Sequence, residues 1–261
     1  MSMRAAVLVV ALLVVACTPP SSDAPPPAPT ASRPALAGPV ARVPASGWHA
    51  MLVGGDDSSP AFDNAVDTLR ERLGSLGVKT IRAFTADRAS GTSLATSTNV
   101  REGLRTVGGD ACFVYITSHG EPRGFFLRAD RRIFGPAVLD RALAESCGGV
   151  PTVLVVSACH SGAFINDATR QPNRIILTAA AIDRTSFGCG ADDDYTYYDQ
   201  CFLQQLDTAH TWREVASRTT SCVERLERQL GVRQESRPQA FFGVGNCQPE
   251  SAPNIILAAI A

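Results

Sequence analysis

Hydrophobic positions along the chain fall into short runs that alternate with segments of helical spacing. Trp48 to Val53 is a nearly continuous apolar run ending at Gly54-Gly55, which predicts a strand. Phe62, Val66, Leu69, Leu73 and Leu76 recur every three or four residues, predicting a helix over Pro60 to Leu76 with one buried face. Gly77 stops that helix, and a second strand is expected over Val78 to Phe84. A helix follows over Ser97 to Val107, then a strand over Ala111 to Thr117 whose uninterrupted apolar character is that of a parallel strand buried on both faces. Phe125 to Leu127 and Arg131 to Phe134 predict a hairpin. Pro136 to Ser146 reads as a helix with proline in its tolerated first turn. Val153 to Val156 and Arg174 to Ala180 are further strands, Tyr198 to Leu206 and Thr211 to Leu230 helices, and Gln239 to Val244 a last strand. Such alternation predicts an α/β fold, a three-layer α/β/α sandwich around a mostly parallel sheet.

Ahead of this pattern the chain is different. Arg4 and the apolar stretch Ala5 to Val15 have the form of an export signal, too short to span a bilayer as a mature helix. It ends in Val14-Val15-Ala16-Cys17, which resembles a bacterial lipobox, so Cys17 is the expected lipidation site; an ordinary secretory peptide is the alternative. Thr18 to Ser46 holds nine of the 17 prolines and almost no bulky apolar residue, the composition of an extended tether. The expected organisation is a signal peptide over 1–17, a tether over 18–46 and one folded domain over 47–261. This places the protein at the bacterial cell envelope, anchored to the membrane by lipid and facing the periplasm or the cell surface. With 45% hydrophobic residues and a net charge of −1, the chain can build one sizeable core and has no electrostatic reason to bind nucleic acid.

Eight cysteines then have to be allotted, in a compartment that permits disulfides. Cys159 closes the run Val153-Leu154-Val155-Val156-Ser157-Ala158, and His119 follows Thr117-Ser118 at the end of another buried strand. In parallel sheets reactive groups gather at the carboxyl edge of the strands. A right-handed crossover through the Pro136 helix would make these two strands neighbours and bring both residues to one crevice. A nucleophilic thiolate needs an imidazole within reach and donors for the developing oxyanion, and the backbone N–H groups of Gly120 and Cys159 are placed for the second task. Zinc would need three or four convergent ligands, and histidines 49, 119, 160 and 210 share no ligand spacing, so no metal is expected. His160, adjacent to Cys159, is read as a pocket-wall residue and His210 as a solvated loop residue. The same crossover puts Cys112 and Cys147 near the opposite edge, predicting one bridge. Cys189–Cys201 is expected because the pair flanks one loop, and Cys222–Cys247 is left by elimination.

"YITSHG" and "VVSACHSG" resemble the two catalytic motifs of the legumain family of cysteine peptidases, within the wider caspase-like fold. "RIILTAAAIDRTSFGC" and "RPQAFFG" resemble downstream elements of bacterial members, so the resemblance runs from about Trp48 to Gly243. It implies a caspase-like domain that hydrolyses peptide bonds through an acyl-thioester on Cys159, with His119 as acid and base, a protein or peptide as substrate and no cofactor. A transamidase of the same fold and a non-catalytic envelope protein are the alternatives, and the oligomeric state is left open. In eukaryotic legumains the pocket for Asn or Asp carries an arginine after the first strand, an acidic residue two before the cysteine, and a later aspartate. Here the first position falls near Ala61, the second is Ser157 and the third matches Asp199; Ser186 is a further pocket candidate. Loss of the arginine removes the fork that would hold a carboxylate. One buried carboxylate among Asp192, Asp193, Asp194 and Asp199 would instead select Arg or Lys, whereas the aspartate triplet itself reads as solvated loop or a weak calcium site.

Overall fold

The computed structural model describes residues 43–87 and 91–244. A 3-10 turn at Ala45–Gly47 leads into β1 (Trp48–Gly54), followed by α1 (Pro60–Ser75), β2 (Thr80–Thr85), β3 (Ser93–Leu94), α2 (Ser97–Thr106) and β4 (Ala111–Thr117). Next come β5 (Gly120–Glu121), β6 (Gly124–Leu127), β7 (Arg132–Phe134), α3 (Pro136–Cys147), β8 (Thr152–Ser157) and β9 (Arg174–Thr178). The fold closes with α4 (Tyr197–Leu206), α5 (Trp212–Gln229) and β10 (Gln239–Phe242). Val43, in the segment whose composition reads as tether, packs against the core and accepts the Trp48 indole N–H at 3.3 Å.

Seven strands form one sheet in the order β10-β9-β8-β4-β1-β2-β3, with β10 antiparallel to β9 and every other pairing parallel. A small antiparallel sheet, β5-β6-β7, carries the predicted hairpin. The strands alternate their side chains between two faces. Leu52, Phe113, Val155 and Leu177 point into one apolar layer with Leu69 and Leu73 of α1, Phe202 of α4, and Trp212 and Val223 of α5. Met51, Val114, Leu154 and Ile176 point into the other with Val100 and Leu104 of α2 and Leu139 and Leu143 of α3. The chain therefore has the mostly parallel α/β/α sandwich that the hydrophobic pattern predicts. Three helices begin at a threonine whose hydroxyl accepts a backbone N–H three residues on: Thr96 from Asn99, Thr196 from Asp199 and Thr211 from Glu214. Such caps satisfy donors the helix cannot satisfy itself.

Cys112 and Cys147 are bridged, joining the start of β4 to the end of α3 on the edge opposite His119. The other two expected bridges are corrected. Cys201 pairs with Cys222, because α4 and α5 pack side by side and bring their Cα atoms to 5.7 Å. Cys189 is consequently a free thiol, as is Cys159. Cys247 and Cys17 lie outside the described residues.

Candidate active site

β4 and β8 are parallel neighbours in register, with Thr117 opposite Ser157. His119 and Cys159 each lie two residues beyond these positions, so both stand at the carboxyl edge of adjoining strands. The Ser118 N–H donates to the Ser157 carbonyl at 3.0 Å and holds the two strand ends together. A Cβ at position 120 would collide with the carbonyl oxygen of Cys159 and stand 2.9 Å from Ala158 Cβ. Only glycine lets the segment after His119 press this closely on the segment carrying Cys159.

His119 is half-buried. Its Nε2 is 3.2 Å from Ser58 Oγ, and the Phe62 ring meets it edge-on at 5.2 Å between centroids. Its carbonyl accepts the Phe126 N–H at 2.8 Å, tying the strand end to the small sheet. Cys159 is half-buried and unbridged. The Ser186 N–H points at its sulfur from 3.3 Å, a donor that a thiolate can use, and the Ser186 carbonyl lies 3.5 Å from the same atom. Ser186 thus sits beside the Cys159 sulfur through its backbone. His160 turns away: its backbone is left-handed at φ 59°, and its Nδ1 lies 2.8 Å from the Ile182 carbonyl. That ring lines the loop wall, whereas His119 is the imidazole at the adjoining strand end. His210 is exposed, as expected.

Asp199 is not in the loop with the aspartate triplet. It lies in the first turn of α4, completely buried, with the Tyr115 hydroxyl donating to Oδ1 at 2.5 Å and the Thr117 hydroxyl to Oδ2 at 2.7 Å. Burial pushes its carboxyl up from the usual range, and hydrogen bonds from Tyr115, Thr117, Ser157 and Thr196 oppose that. Ser157, also buried, has its hydroxyl 3.4 Å from that of Thr196. In the triplet, Asp192 and Asp194 are exposed, and Asp193 accepts the Gly190 N–H at 2.7 Å. Among the described residues no three ligating side chains converge as a metal site would require. Ala61, the aligned position of the pocket arginine, is fully buried in α1. Ser58 and Ser59 occupy that corner instead, Ser59 donating to the Gly190 carbonyl at 2.9 Å.

Sequence reasoning missed Ser58 and Phe62, which touch His119, and took Cys189 for half of a bridge. Phe62 was legible as a core position of α1, and nothing in the pattern marks it as a histidine neighbour. Cys189 is half-buried, and burial first, then the neighbouring Cys159 and Asp193, push its thiol up from the usual range. Asp199 falls inside the helix expected over Tyr198 to Leu206, and the Thr196-x-x-Asp199 spacing is the further helix-start signal that separates it from the aspartate triplet.

A model of the Peptidase C13 family matches residues 90–229. Among solved structures, the crystal structure of caspase-1 from Spodoptera frugiperda is similar, with a TM-score of 0.56 at 15% identity. The likeness covers 78% of this chain and 92% of the caspase chain, and it shows a shared fold. No curated protein matches the sequence significantly. A caspase-like sandwich and a family match over more than half of the chain lead to one assignment: this chain belongs to the peptidase C13 family, the legumain-like cysteine peptidases.

Proposed function

We propose that the protein is a cysteine endopeptidase in which Cys159 is the nucleophile and His119 the proton carrier. The observation that carries this reading is their position, two residues past paired residues on adjoining parallel strands, with Gly120 packed directly on Cys159. In the reaction the Cys159 thiol gives its proton to His119, its sulfur attacks the scissile carbonyl carbon, and the oxygen gains negative charge that the Gly120 and Cys159 backbone N–H groups stabilise. Collapse of that adduct breaks the C–N bond, with the amine taking a proton from the His119 imidazolium. The acyl-thioester that remains is attacked by water, from which His119 removes a proton. The acid product then leaves and the thiol is restored. Ser58 and Phe62 hold the ring of His119 at its place.

Incubation with a panel of fluorogenic peptides tests this directly. Cys159→Ala and His119→Ala are each expected to lower kcat/KM by about a thousandfold or more while leaving the unfolding midpoint nearly unchanged. Turnover that survives either substitution would overturn the assignment.

We also propose export and lipid anchoring through Cys17. The lipobox-like Val14-Val15-Ala16-Cys17 supports it, and the two bridges fit a disulfide-permissive compartment. Cys17→Ala should move the protein from the membrane fraction to the soluble one; unchanged partition would count against the anchor.

A further inference from the structure

The turn between β1 and α1, residues 55–59, lies ahead of the stretch that the family match covers, yet it meets β4, the small sheet and the loop at Gly190. The Gly55 N–H donates to the Thr117 carbonyl at 2.9 Å, and the Gly55 carbonyl accepts the Arg128 N–H at 2.8 Å. A Cβ at position 55 would stand 2.5 Å from Ser118 Oγ and 2.6 Å from the Phe126 carbonyl oxygen. Glycine there lets the turn press on the residue before His119 and on Phe126, whose N–H ties down the His119 carbonyl. At the other end, Ser59 Oγ donates to the Gly190 carbonyl at 2.9 Å.

Ser58 in this turn is exposed, and its hydroxyl is 3.2 Å from His119 Nε2. An exposed hydroxyl rotates among three staggered positions, so the Ser58 side chain cannot fix that contact by itself. Its backbone has to be held instead, and Asp56 holds it. The Asp56 side chain is 2% exposed, and its Oδ1 accepts the Ser58 N–H at 2.7 Å, a side chain closing a turn onto the backbone two residues on. Burying a carboxylate is costly unless something is gained by it. The counter-charge, Arg128, is 3.5 Å away, farther than a firm hydrogen bond, and its Nε is engaged by Asp57 at 2.8 Å. Helix capping does not account for Asp56 either: α1 has its own cap in Ser59, whose Oγ accepts the Ala61 N–H.

We infer that Asp56 is a positioning residue for the reaction: through the Ser58 backbone it sets the Ser58 hydroxyl against His119 Nε2, so that the other ring nitrogen is the one left for proton exchange. The inference rests on the Cys159–His119 reading. Asp56 touches neither the ring nor the sulfur in this account, and it acts by where its oxygen stands, not by its charge. Small misplacements of a proton carrier are costly to turnover, because the ring has to meet the thiol, the departing amine and the water in one geometry.

The test uses the full chain in mild detergent and the best-cleaved fluorogenic peptide of the panel. Asp56→Ala should lower kcat about tenfold with KM changed by less than about twofold. Asp56→Asn should stay within about threefold of the unsubstituted enzyme, because its amide oxygen still accepts the Ser58 N–H. Asp56→Glu keeps the charge and misplaces the acceptor, so it should lose as much as Asp56→Ala. Ser58→Ala should also lose about tenfold, and Asp56→Ala combined with Ser58→Ala no more than either alone, since one contact cannot be lost twice. Losses that multiply to about a hundredfold, an unchanged kcat in Asp56→Ala, or Asp56→Glu outperforming Asp56→Asn overturns the inference. Should Asp56→Ala not fold, the ranking of Asp56→Asn over Asp56→Glu decides. Cleavage that is absent, or that survives Cys159→Ala, defeats the dyad reading and this inference with it. Cys159-dependent cleavage with an Asp56 series that breaks these rankings sinks the inference alone.

Discussion

Asp63 shows how a single carboxylate can be at odds with the fold that holds it. It lies in the first turn of α1, and a Cβ on Gly54 would stand only 2.6 Å from its Oδ1, an atom that is buried without a hydrogen-bond partner. Burial, then the negative charges of Asp87, Asp67 and Asp57, push its pKa from 3.8 to about 6. A carboxyl that binds its proton more tightly folded than unfolded penalises the native state once ionised. The penalty is present above about pH 6 and fades as pH falls from there toward 3.8. Because the side chain is only half-buried, solvent screens part of it, and the helix N-terminus favours the charge, so a net cost of about 1 kcal/mol is expected. Asp63→Asn should therefore raise Tm by about 2–4 °C at pH 7.5 and by nearly nothing at pH 4. Equal shifts at the two pH values, or a lower Tm at pH 7.5, would contradict this account.

Among the elements, α4 and α5 carry the clearest lesson about what a sequence discloses. Their apolar spacing predicted both helices, with ends within a residue or two of those observed. It did not predict how the two helices face each other, and the bridge Cys201–Cys222 depends on that packing alone. Cysteine spacing along the chain favoured Cys189–Cys201, which the tertiary arrangement overrides. The Cys112–Cys147 bridge was legible because a crossover fixes which strand ends lie on the same edge. Short elements left no signal: β3 has two residues and β5 is Gly120-Glu121, so neither shows a period. The placement of His119 and Cys159 at two adjoining strand ends was legible, whereas the residues that touch His119 come from the α1 corner, where no motif marks them. For the helical pair, Cys201→Ser with Cys222→Ser opens a link between residues 21 apart. The loss should be about 2–4 kcal/mol, read as a lower urea midpoint with activity retained at low denaturant. An unchanged midpoint would mean that helix packing alone secures this layer.

At the scale of the whole molecule, sequence order and sheet order diverge, and that divergence decides what can fold. The family match begins at residue 90, after β1, α1 and β2, and ends before β10. Yet β1 sits inside the sheet, paired along its length with β4 on one side and β2 on the other. A fragment 90–229 would open the edge of β4, a strand buried at all seven positions, and would strip Trp48, Leu52, Val66, Leu69 and Leu73 from one apolar layer. An open, apolar strand edge invites pairing with other chains. The same cut removes Ser58 and Phe62, the contacts of the His119 ring. The stretch most recognisable as a peptidase is thus insufficient to make one. A chain of residues 43–244 should unfold in a single cooperative transition, followed by far-UV circular dichroism in urea, and should retain peptide cleavage. The 90–229 fragment should show no cooperative transition, aggregate and lack activity. If that fragment instead unfolds cooperatively at a comparable midpoint, β1 and α1 are additions to a self-sufficient core and the sheet order assigned to this protein is wrong.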